Sequence, residues 1–490
     1  MSFDLARYRA EWTGGSLHRE ILAGMVGTFA LIPEVIAFSF VAGVDPEVGL
    51  FASFVIGIVI AFTGGRPAMI SGAAGSVALV AAALVSAHGL PYLLAATLLC
   101  GAIQVVFGLL RLDVLMRFVS RSVRTGFVNA LAILIFSAQL PQMMDVTWHT
   151  YAMIALGLAI IYLVPRVTQA IPSPLICILV LTALSMGLDM PLRTVTDLGR
   201  LPDSLPSLVW PQVPLNLETL RIVFPYALAM AMVGLLESMM TAGVVDDWTE
   251  TNSSKRAECT GLGIANIAVG AFGGIAGCGM IGQTVGNLRY GGRGRLSTLV
   301  AGAFLLVLMV LLRPWVAQVP VAALVAIMIM VSVSTFSWSS LRDLAAHPRL
   351  SSLVMLATVA VVVVTHNLAL GVFVGVLLSG VFFAFKVMRL LQVEERYDEA
   401  SRTRTYTVRG QVFFASAEMF ADAFDLRDAV AQQVVIDLTG AHLWDITAVG
   451  ALEGVVNKMR RHGLRVEVIG LNEASAGMVE RHGRFSPAEM

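Results

Sequence analysis

Long apolar stretches separated by short polar connections cover most of this chain. A helix that crosses a bilayer needs roughly 20 mostly apolar residues. Fourteen such stretches occur, most of them near that length, so the pattern predicts an all-α polytopic membrane domain over residues 21–391. The predicted segments are 21–42, 48–63, 71–88, 92–111, 122–141, 150–165, 173–188, 221–244, 259–274, 281–290, 296–312, 318–335, 351–366 and 368–389.

Two of the predicted segments, 71–88 and 281–290, are short and follow a glycine-rich stretch. In both places an apolar helix is predicted to end at a Gly-Gly pair, and a new helix begins a few residues later. Glycine-interrupted apolar segments at matching positions of two halves of a chain indicate a transporter binding site. We therefore predict two half-helices that begin near the bilayer midplane. The pairs are Gly64-Gly65 and Gly273-Gly274.

The fourteen segments divide into two sets of seven, repeat one at 21–188 and repeat two at 221–390. An odd number of spans makes the second repeat enter the membrane from the opposite side, so the repeats are predicted to be inverted. With residues 1–20 as a cytoplasmic N-terminus, most basic residues before position 391 fall in cytoplasmic loops, as the positive-inside rule requires. Those in loops, or directly after the last span, include Arg111, Arg117, Arg121, Arg124, Arg289, Arg293, Arg295, Lys386 and Arg389.

The composition changes after Leu391. Residues 392–404 are charged and are predicted to be a linker, and strand-like stretches then alternate with helical ones such as Ala417–Gln432. Such alternation is typical of an α/β domain. Since fourteen spans return the chain to the side of its N-terminus, residues 392–490 are expected to form a small cytoplasmic α/β domain.

Composition narrows the function classes. The chain is 57% hydrophobic and 13% charged, whereas soluble domains carry roughly 25% charged residues. A net charge of zero gives no reason to expect a nucleic-acid partner. No nucleotide-binding loop, zinc-ligand spacing or Ser/His/Asp arrangement stands out, so we expect neither a cofactor nor enzymatic activity. The cysteines show no metal or redox spacing and are interpreted as small core residues. They are Cys100, Cys177, Cys259 and Cys278.

Two glutamates, Glu34 and Glu237, lie inside apolar segments. A carboxylate at the bilayer centre costs about 2.5–3.5 kcal/mol on insertion scales, and burial favours its neutral form. Either group can therefore take up a proton together with an anion. The proton would cancel the roughly 2.3 kcal/mol that a monoanion needs to enter against 100 mV. The alternative is that either glutamate only forms hydrogen bonds between helices.

Short motifs occur in order along nearly the whole chain. They are Pro33-Glu34-Val35-Ile36-Ala37-Phe38, Gly49-Leu50-Phe51-Ala52-Ser53-Phe54, Gly234-Leu235-Leu236-Glu237-Ser238, Asn266, Gly291-Gly292-Arg293-Gly294-Arg295-Leu296, Asp437-Leu438-Thr439 and Asp445-Ile446-Thr447. In type and order these motifs resemble those of the sulfate permease family, also called solute carrier family 26. The tail resembles the STAS domain of that family.

The resemblance implies a core domain of helices 1–4 and 8–11 that moves against a gate domain of helices 5–7 and 12–14. It also implies anion transport and usually a homodimer. The family has Gln where this chain has Glu34, and many members have Arg where this chain has Gln283. Sodium-coupled members carry Asp and Thr where this chain has Glu237 and Thr241, which makes that pair a candidate cation site. The longer Glu favours protons.

The predicted anion site lies between the two half-helices. Each N-terminus presents unpaired N–H groups and roughly half a positive charge, which together can bind an anion without a cationic side chain. The alternative is that the glycines only allow tight helix packing. The predicted substrate-binding residues are Phe38, which resembles an aromatic residue of the family's pocket, and Ser71, Gly72, Ala73, Ala74, Gly282, Gln283 and Thr284.

The sequence thus predicts a secondary active anion transporter of the bacterial inner (plasma) membrane. We expect proton-coupled uptake of a small inorganic anion or carboxylate by an elevator-like movement, with Glu34 and Glu237 as the proton-coupling residues. Sodium symport and exchange of anions such as bicarbonate or sulfate remain alternatives. A membrane-anchored signalling scaffold built on the STAS domain is the alternative from another class.

Overall fold

The chain divides into two units, Met1–Val376 and Leu377–Met490. Apolar helices and the placement of glycines determine the architecture of the first unit. The computed structural model describes Trp12 and residues 17–167, 172–202, 205–346, 349–426 and 430–482. Most of the predicted cytoplasmic N-terminus, 1–20, and the end of the tail, 483–490, lie outside the described residues.

Helices occupy all fourteen predicted positions. They are α1 Leu17–Val41, α2 Pro46–Thr63, α3 Gly75–His88, α4 Leu90–Leu109, α5 Arg121–Ser137, α6 Trp148–Leu163, α7 Ser173–Gly187, α8 Leu217–Thr249, α9 Lys255–Ala271, α10 Ile281–Arg289, α11 Arg295–Val316, α12 Val321–Thr335, α14 Arg349–Thr365 and α15 Leu368–Met388. An additional short helix, α13 (Ser339–Ala346), was not predicted. Short 3-10 helices cover Leu112–Phe118, Leu140–Met143, Val164–Arg166 and Val195–Asp197. Among the described residues, eight helices are long and apolar enough to cross a bilayer.

The two predicted half-helices are confirmed. Strand β1 (Ser71–Gly72) precedes α3, and strand β2 (Cys278–Gly279) precedes α10. The strands pair antiparallel, with Ser71 opposite Gly279 and Gly72 opposite Cys278. We call this antiparallel pair, Ser71–Gly72 with Cys278–Gly279, the half-helix crossing. Because each strand runs into its own helix, α3 and α10 leave the crossing in opposite directions. Their N-termini therefore meet at the crossing, as inverted repeats require.

Helix packing follows the predicted division into core and gate. Helix α9 packs on α4 and α2, and α11 packs on α1 and α2, whereas α12 and α14 pack on α5. Glycines make the closest core crossings. A Cβ on Gly101 would lie 2.6 Å from the carbonyl oxygen of Gly263, and one on Gly57 would lie 3.0 Å from the Cα of Gly302. Small residues let membrane helices approach in this way, so these glycines do serve tight packing.

A buried carboxylate ties the first helix to the second repeat. Glu20, in the first turn of α1, is fully buried. Its Oε1 accepts hydrogen bonds from the backbone N–H groups of Arg293 (2.7 Å) and Gly294 (2.9 Å), and its Oε2 accepts one from Ser297 (3.2 Å). The side chain therefore satisfies the open N-terminus of α11 and holds it against α1.

The second unit is a small α/β domain with a four-stranded sheet in the order β3-β4-β5-β6. The pair β3/β4 is antiparallel, and β4/β5 and β5/β6 are parallel. Two predictions need correction: residues 392–398 form strand β3 rather than a linker, and the helix from Ala417 ends at Asp422 rather than Gln432. The elements are β3 Gln392–Asp398, β4 Thr403–Val412, α16 Ala417–Asp422, β5 Gln433–Leu443, α17 Ile446–Arg461, β6 Arg465–Ile469 and α18 Glu473–His482.

The N-terminus of α17 shows how the STAS-like motif acts in this fold. The Asp445 side chain accepts a hydrogen bond from the Ala448 N–H at 2.9 Å and so caps the helix. Its other oxygen accepts one from the Phe414 N–H at 2.7 Å. The motif therefore joins the end of β4 to the start of α17.

Candidate functional site

Backbone bonds fix the crossing of the half-helices. The Met280 N–H donates to the Ile70 carbonyl at 2.9 Å, and the Ile70 N–H donates to the Thr284 hydroxyl at 2.9 Å. From α9, Asn266 accepts a hydrogen bond from the Gly277 N–H (2.8 Å) and donates one to the Gly277 carbonyl (3.1 Å). These bonds satisfy the irregular backbone inside the apolar part of the protein, which is the condition for such backbone in a membrane.

The two half-helices begin without a side-chain cap. Ala74 and Met280 occupy the N-cap positions, and neither side chain forms a capping hydrogen bond. The first-turn N–H groups therefore lack an intrahelical partner and present partial positive charge at the crossing. The amide of Ala73, a predicted substrate-binding residue, is a different case. It donates to the Ser53 hydroxyl at 3.0 Å and is therefore already bonded within the protein.

Two buried polar side chains at the crossing form no hydrogen bond of ordinary distance and angle with the residues that the structure describes, although that of Gln283 lies beside the Glu34 carboxyl. They are the Ser71 hydroxyl and the amide nitrogen Nε2 of Gln283, and each residue is only 1% exposed. Leaving a buried donor unsatisfied costs about 1–3 kcal/mol. One lies in β1 and the other in the first turn of α10, so an acceptor between the half-helices could satisfy both.

Phe38 and three glycines define the space around these donors. The Phe38 ring, 4% exposed, packs against the start of α3, where a Cβ on Gly75 would lie 2.6 Å from it. A Cβ on Gly72 would lie 3.1 Å from Leu31, so Gly72 has a packing role. A Cβ on Gly282 would meet nothing within 4 Å. Open space therefore lies beside the N-terminus of α10.

Glu237 is held by two donors on one oxygen. Its Oε2 accepts hydrogen bonds from the Ser76 hydroxyl in the first turn of α3 and from the Cys278 thiol at 3.2 Å. The Glu34 carboxyl lies beside the Gln283 side chain and near enough to Glu237 for their charges to interact. The fold thus brings both predicted proton-coupling residues to the same crossing as Ser71 and Gln283.

Two predicted site residues, Thr241 and Thr284, have hydroxyls that bond to the backbone. Thr241 donates to the carbonyls of Glu237 and Gly279, both at 2.9 Å. Thr284 bonds to Ile70. Both side chains are fully buried. These hydroxyls hold α8 and α10 to the crossing. The sequence spacing of the two threonines did not predict this structural role.

Sequence reasoning missed Ser53, Ser76 and Cys278. All four cysteines are buried, as predicted for small core residues, but Cys278 also contacts Glu237. The available signals were the position of Cys278 between two glycines of the crossing and that of Ser76 directly after Gly75. Among the described residues, no group of three or more His, Cys, Asp or Glu side chains could hold a metal ion.

Comparison with known proteins places this geometry in a family. A sequence model of the sulfate permease family matches residues 17–154 and 142–358, and a model of the STAS domain matches residues 395–486. The chain belongs to the sulfate permease family. Members of this family are anion transporters. The C-terminal part of the chain is a STAS domain.

Relatives extend over nearly the whole chain. The candidate sulfate transporter YbaR of Bacillus subtilis (strain 168) is 52% identical over 96% of this chain and 98% of its own length. The bicarbonate transporter BicA of Picosynechococcus sp. (strain ATCC 27264 / PCC 7002 / PR-6) is 26% identical over 95% of this chain and 90% of its own length.

Solved structures share the fold of this family member. The murine Slc26a9 anion transporter in the inward-facing state superposes with a TM-score of 0.84 at 17% identity, over 98% of this chain and 89% of that one. The transmembrane domain of a cyanobacterial BicA superposes with a TM-score of 0.65 at 24% identity, over 74% of this chain and 97% of that one.

Proposed function

We propose that this protein is a secondary active transporter that binds its anion between the N-termini of α3 and α10. The observations that support this most directly are the buried Ser71 hydroxyl, which lacks a hydrogen-bond partner among the described residues, and the buried Gln283 amide, whose neighbour is the Glu34 carboxyl. An anion at the uncapped half-helix ends would accept hydrogen bonds from both. The same anion would interact favourably with the positive ends of the two helix dipoles.

The second part of the proposal is that protons drive uptake. Neither Ser71–Ser76 nor Cys278–Gln283 contains a basic residue, while Glu34 lies beside Gln283 and Glu237 accepts hydrogen bonds from Ser76 and Cys278. Ionised carboxylates there would repel an anion, and protonation removes the repulsion. Proton binding and anion binding therefore strengthen each other by the same factor. Each proton carried would offset about 2.3 kcal/mol per 100 mV for a monoanion.

Transport would proceed by an elevator-like movement of the core helices α1–α4 and α8–α11 against the gate helices α5–α7, α12, α14 and α15. We place the protein in a bacterial plasma membrane as a homodimer with cytoplasmic termini. The cargo is a small inorganic anion or a carboxylate. Sulfate and bicarbonate, which the names of YbaR and BicA carry, are the first anions to try.

Flux into proteoliposomes tests this function. Labelled sulfate, bicarbonate and a small dicarboxylate would each be offered with an inward proton gradient, an inward sodium gradient or neither. We expect saturable uptake of at least one anion, accelerated by the proton gradient. Acceleration by the sodium gradient alone would identify sodium, rather than the proton, as the coupling ion. A signalling scaffold would take up no anion at any pH, and that result would refute the proposal.

Glu237→Gln isolates the coupling step. The variant should lose uptake driven by a pH gradient and keep anion exchange, because the amide cannot release a proton. Glu218→Gln is the matched control, since Glu218 lies on the same helix α8 and is exposed. Unchanged pH dependence in Glu237→Gln would remove Glu237 from the coupling mechanism.

A further inference from the structure

A second polar cavity lies in the gate, away from the half-helix crossing. It has a volume of about 220 Å³ and is enclosed by the start of α5, the turn between α12 and α13, and the start of α14. The transport site uses α1, α3, α8 and α10, so the two sites share no helix. The lining is mostly hydroxyl groups around one guanidinium: Arg121, Ser122, Thr125, Ser337, Ser339, Ser340, Leu344, Ser351, Ser352 and Met355.

The polar groups of α5 and α14 in this cavity are available to a ligand. Within the described residues, Arg121 forms no ion pair, and the hydroxyls of Ser122, Thr125 and Ser351 form no hydrogen bond. A cation and several hydroxyl donors that line one cavity, with no acidic side chain among its described lining residues, suit a ligand that is anionic and rich in oxygen acceptors. The planar guanidinium matches the geometry of a phosphate group in particular.

The opposite wall of the cavity is tied to α5 by two hydrogen bonds. Asn129, on the third turn of α5, donates from Nδ2 to the Ser340 hydroxyl at 2.8 Å, and its Oδ1 accepts from the Ser337 N–H at 2.8 Å. This pair of bonds fixes the turn before α13 at a set distance from α5. Two hydrogen bonds within the protein therefore frame this side of the cavity.

Exposed apolar side chains lie on the same elements as the cavity lining. Trp338, in the turn before α13, is 58% exposed, and Leu341 and Leu353 are each 51% exposed. Tryptophan beside aliphatic side chains is typical of the boundary between membrane and water. A phosphate at this position can belong to a lipid headgroup as well as to a free ion.

We propose that this gate cavity binds a phosphate group, with Arg121 as its charged ligand and the hydroxyls of Ser122, Thr125 and Ser351 as further donors. The phosphate of an anionic lipid headgroup and free phosphate offer the same negatively charged oxygen acceptors to these donors. Bound there, the group would join α5 to α14 and so stiffen the gate against which the core moves.

Binding is measured on the purified full-length protein, without reference to transport. Native mass spectrometry would count bound phosphatidylglycerol in titrations against phosphatidylcholine, and thermal unfolding would be followed with sodium phosphate or sodium chloride at equal ionic strength. We expect saturable, selective binding of one phosphatidylglycerol per chain, or a rise in Tm with phosphate alone. The first result assigns the phosphate to lipid and the second to the free ion.

Variants localise the binding. Arg121→Gln should weaken it about tenfold, since a charge-assisted hydrogen bond to phosphate is lost. Ser122→Ala with Ser351→Ala should weaken it about threefold and leaves the charge in place. Arg124→Gln, on the same helix but outside the cavity lining, is the matched control and should bind as the unaltered protein does. Equal binding by Arg121→Gln and Arg124→Gln, or no selective binding of either phosphate source, overturns the proposal.

Discussion

The two half-helices share a topology but differ in their surroundings. The start of α3 is crowded, because the Phe38 ring covers Gly75 and Ser76 is bonded to Glu237. The start of α10 is open, because a Cβ added to Gly282 or Gly286 would have no neighbouring atom within 4 Å. The inverted repeat thus supplies two similar backbone ends, and the side chains give them separate tasks. We infer that α3 positions Glu237 and that α10 provides the open side of the space between the two N-termini.

Gly75→Ala should have the largest effect. Its Cβ would lie 2.6 Å from the buried Phe38 ring, and such overpacking costs about 1–3 kcal/mol. We expect a lower Tm and at least a tenfold loss of uptake, measured on the purified variant and in proteoliposomes. Gly286→Ala in α10 is the control and should keep both. Phe38→Leu should partly rescue Gly75→Ala, and equal behaviour of the two alanine variants would contradict the contrast between the half-helices.

Gly282→Leu should affect binding and spare stability. The new side chain would fill the open space beside the N-terminus of α10, so KM for the anion should rise about tenfold while Tm stays the same. Gly286→Leu, one turn further from the N-terminus, should raise KM less. An unchanged KM in both variants would show that the anion does not use this space.

Thr241→Val and Thr284→Val should affect stability and spare binding. Each loses a hydroxyl that bonds to the backbone of the crossing, at a cost of about 1 kcal/mol. Thermal unfolding should detect the loss, and KM should stay within about twofold of the unaltered value. A sodium requirement that disappears in Thr241→Val would instead identify that residue as a cation ligand.

The sequence was sufficient for the spans and for the half-helices. Apolar length reports burial in lipid directly, and the Gly-Gly pairs marked both breaks. Strand β3 escaped detection because it is a largely exposed edge strand, and edge strands are commonly charged. Helix α13 has only eight residues, too few to stand out in an apolar pattern.

The site was predicted less completely than the fold. Glu34, Glu237, Ser71 and Gln283 meet at the crossing as the motifs suggested, yet the partner of each group depends on tertiary contacts. The Ala73 N–H donates a hydrogen bond to the Ser53 hydroxyl of α2. The Cys278 thiol donates one to Glu237, which is 41 residues away in sequence. No local pattern encodes such pairs, because composition and spacing do not specify which side chains face each other.

Equilibrium binding of the transported anion to the purified protein tests the central claim most directly. Ser71→Ala and Gln283→Ala should each weaken binding about tenfold, because each removes one buried donor to the anion, and the double variant should weaken it further. Glu218→Gln should bind normally. If the double variant binds the anion as tightly as the unaltered protein, the half-helix crossing is not where the anion is held.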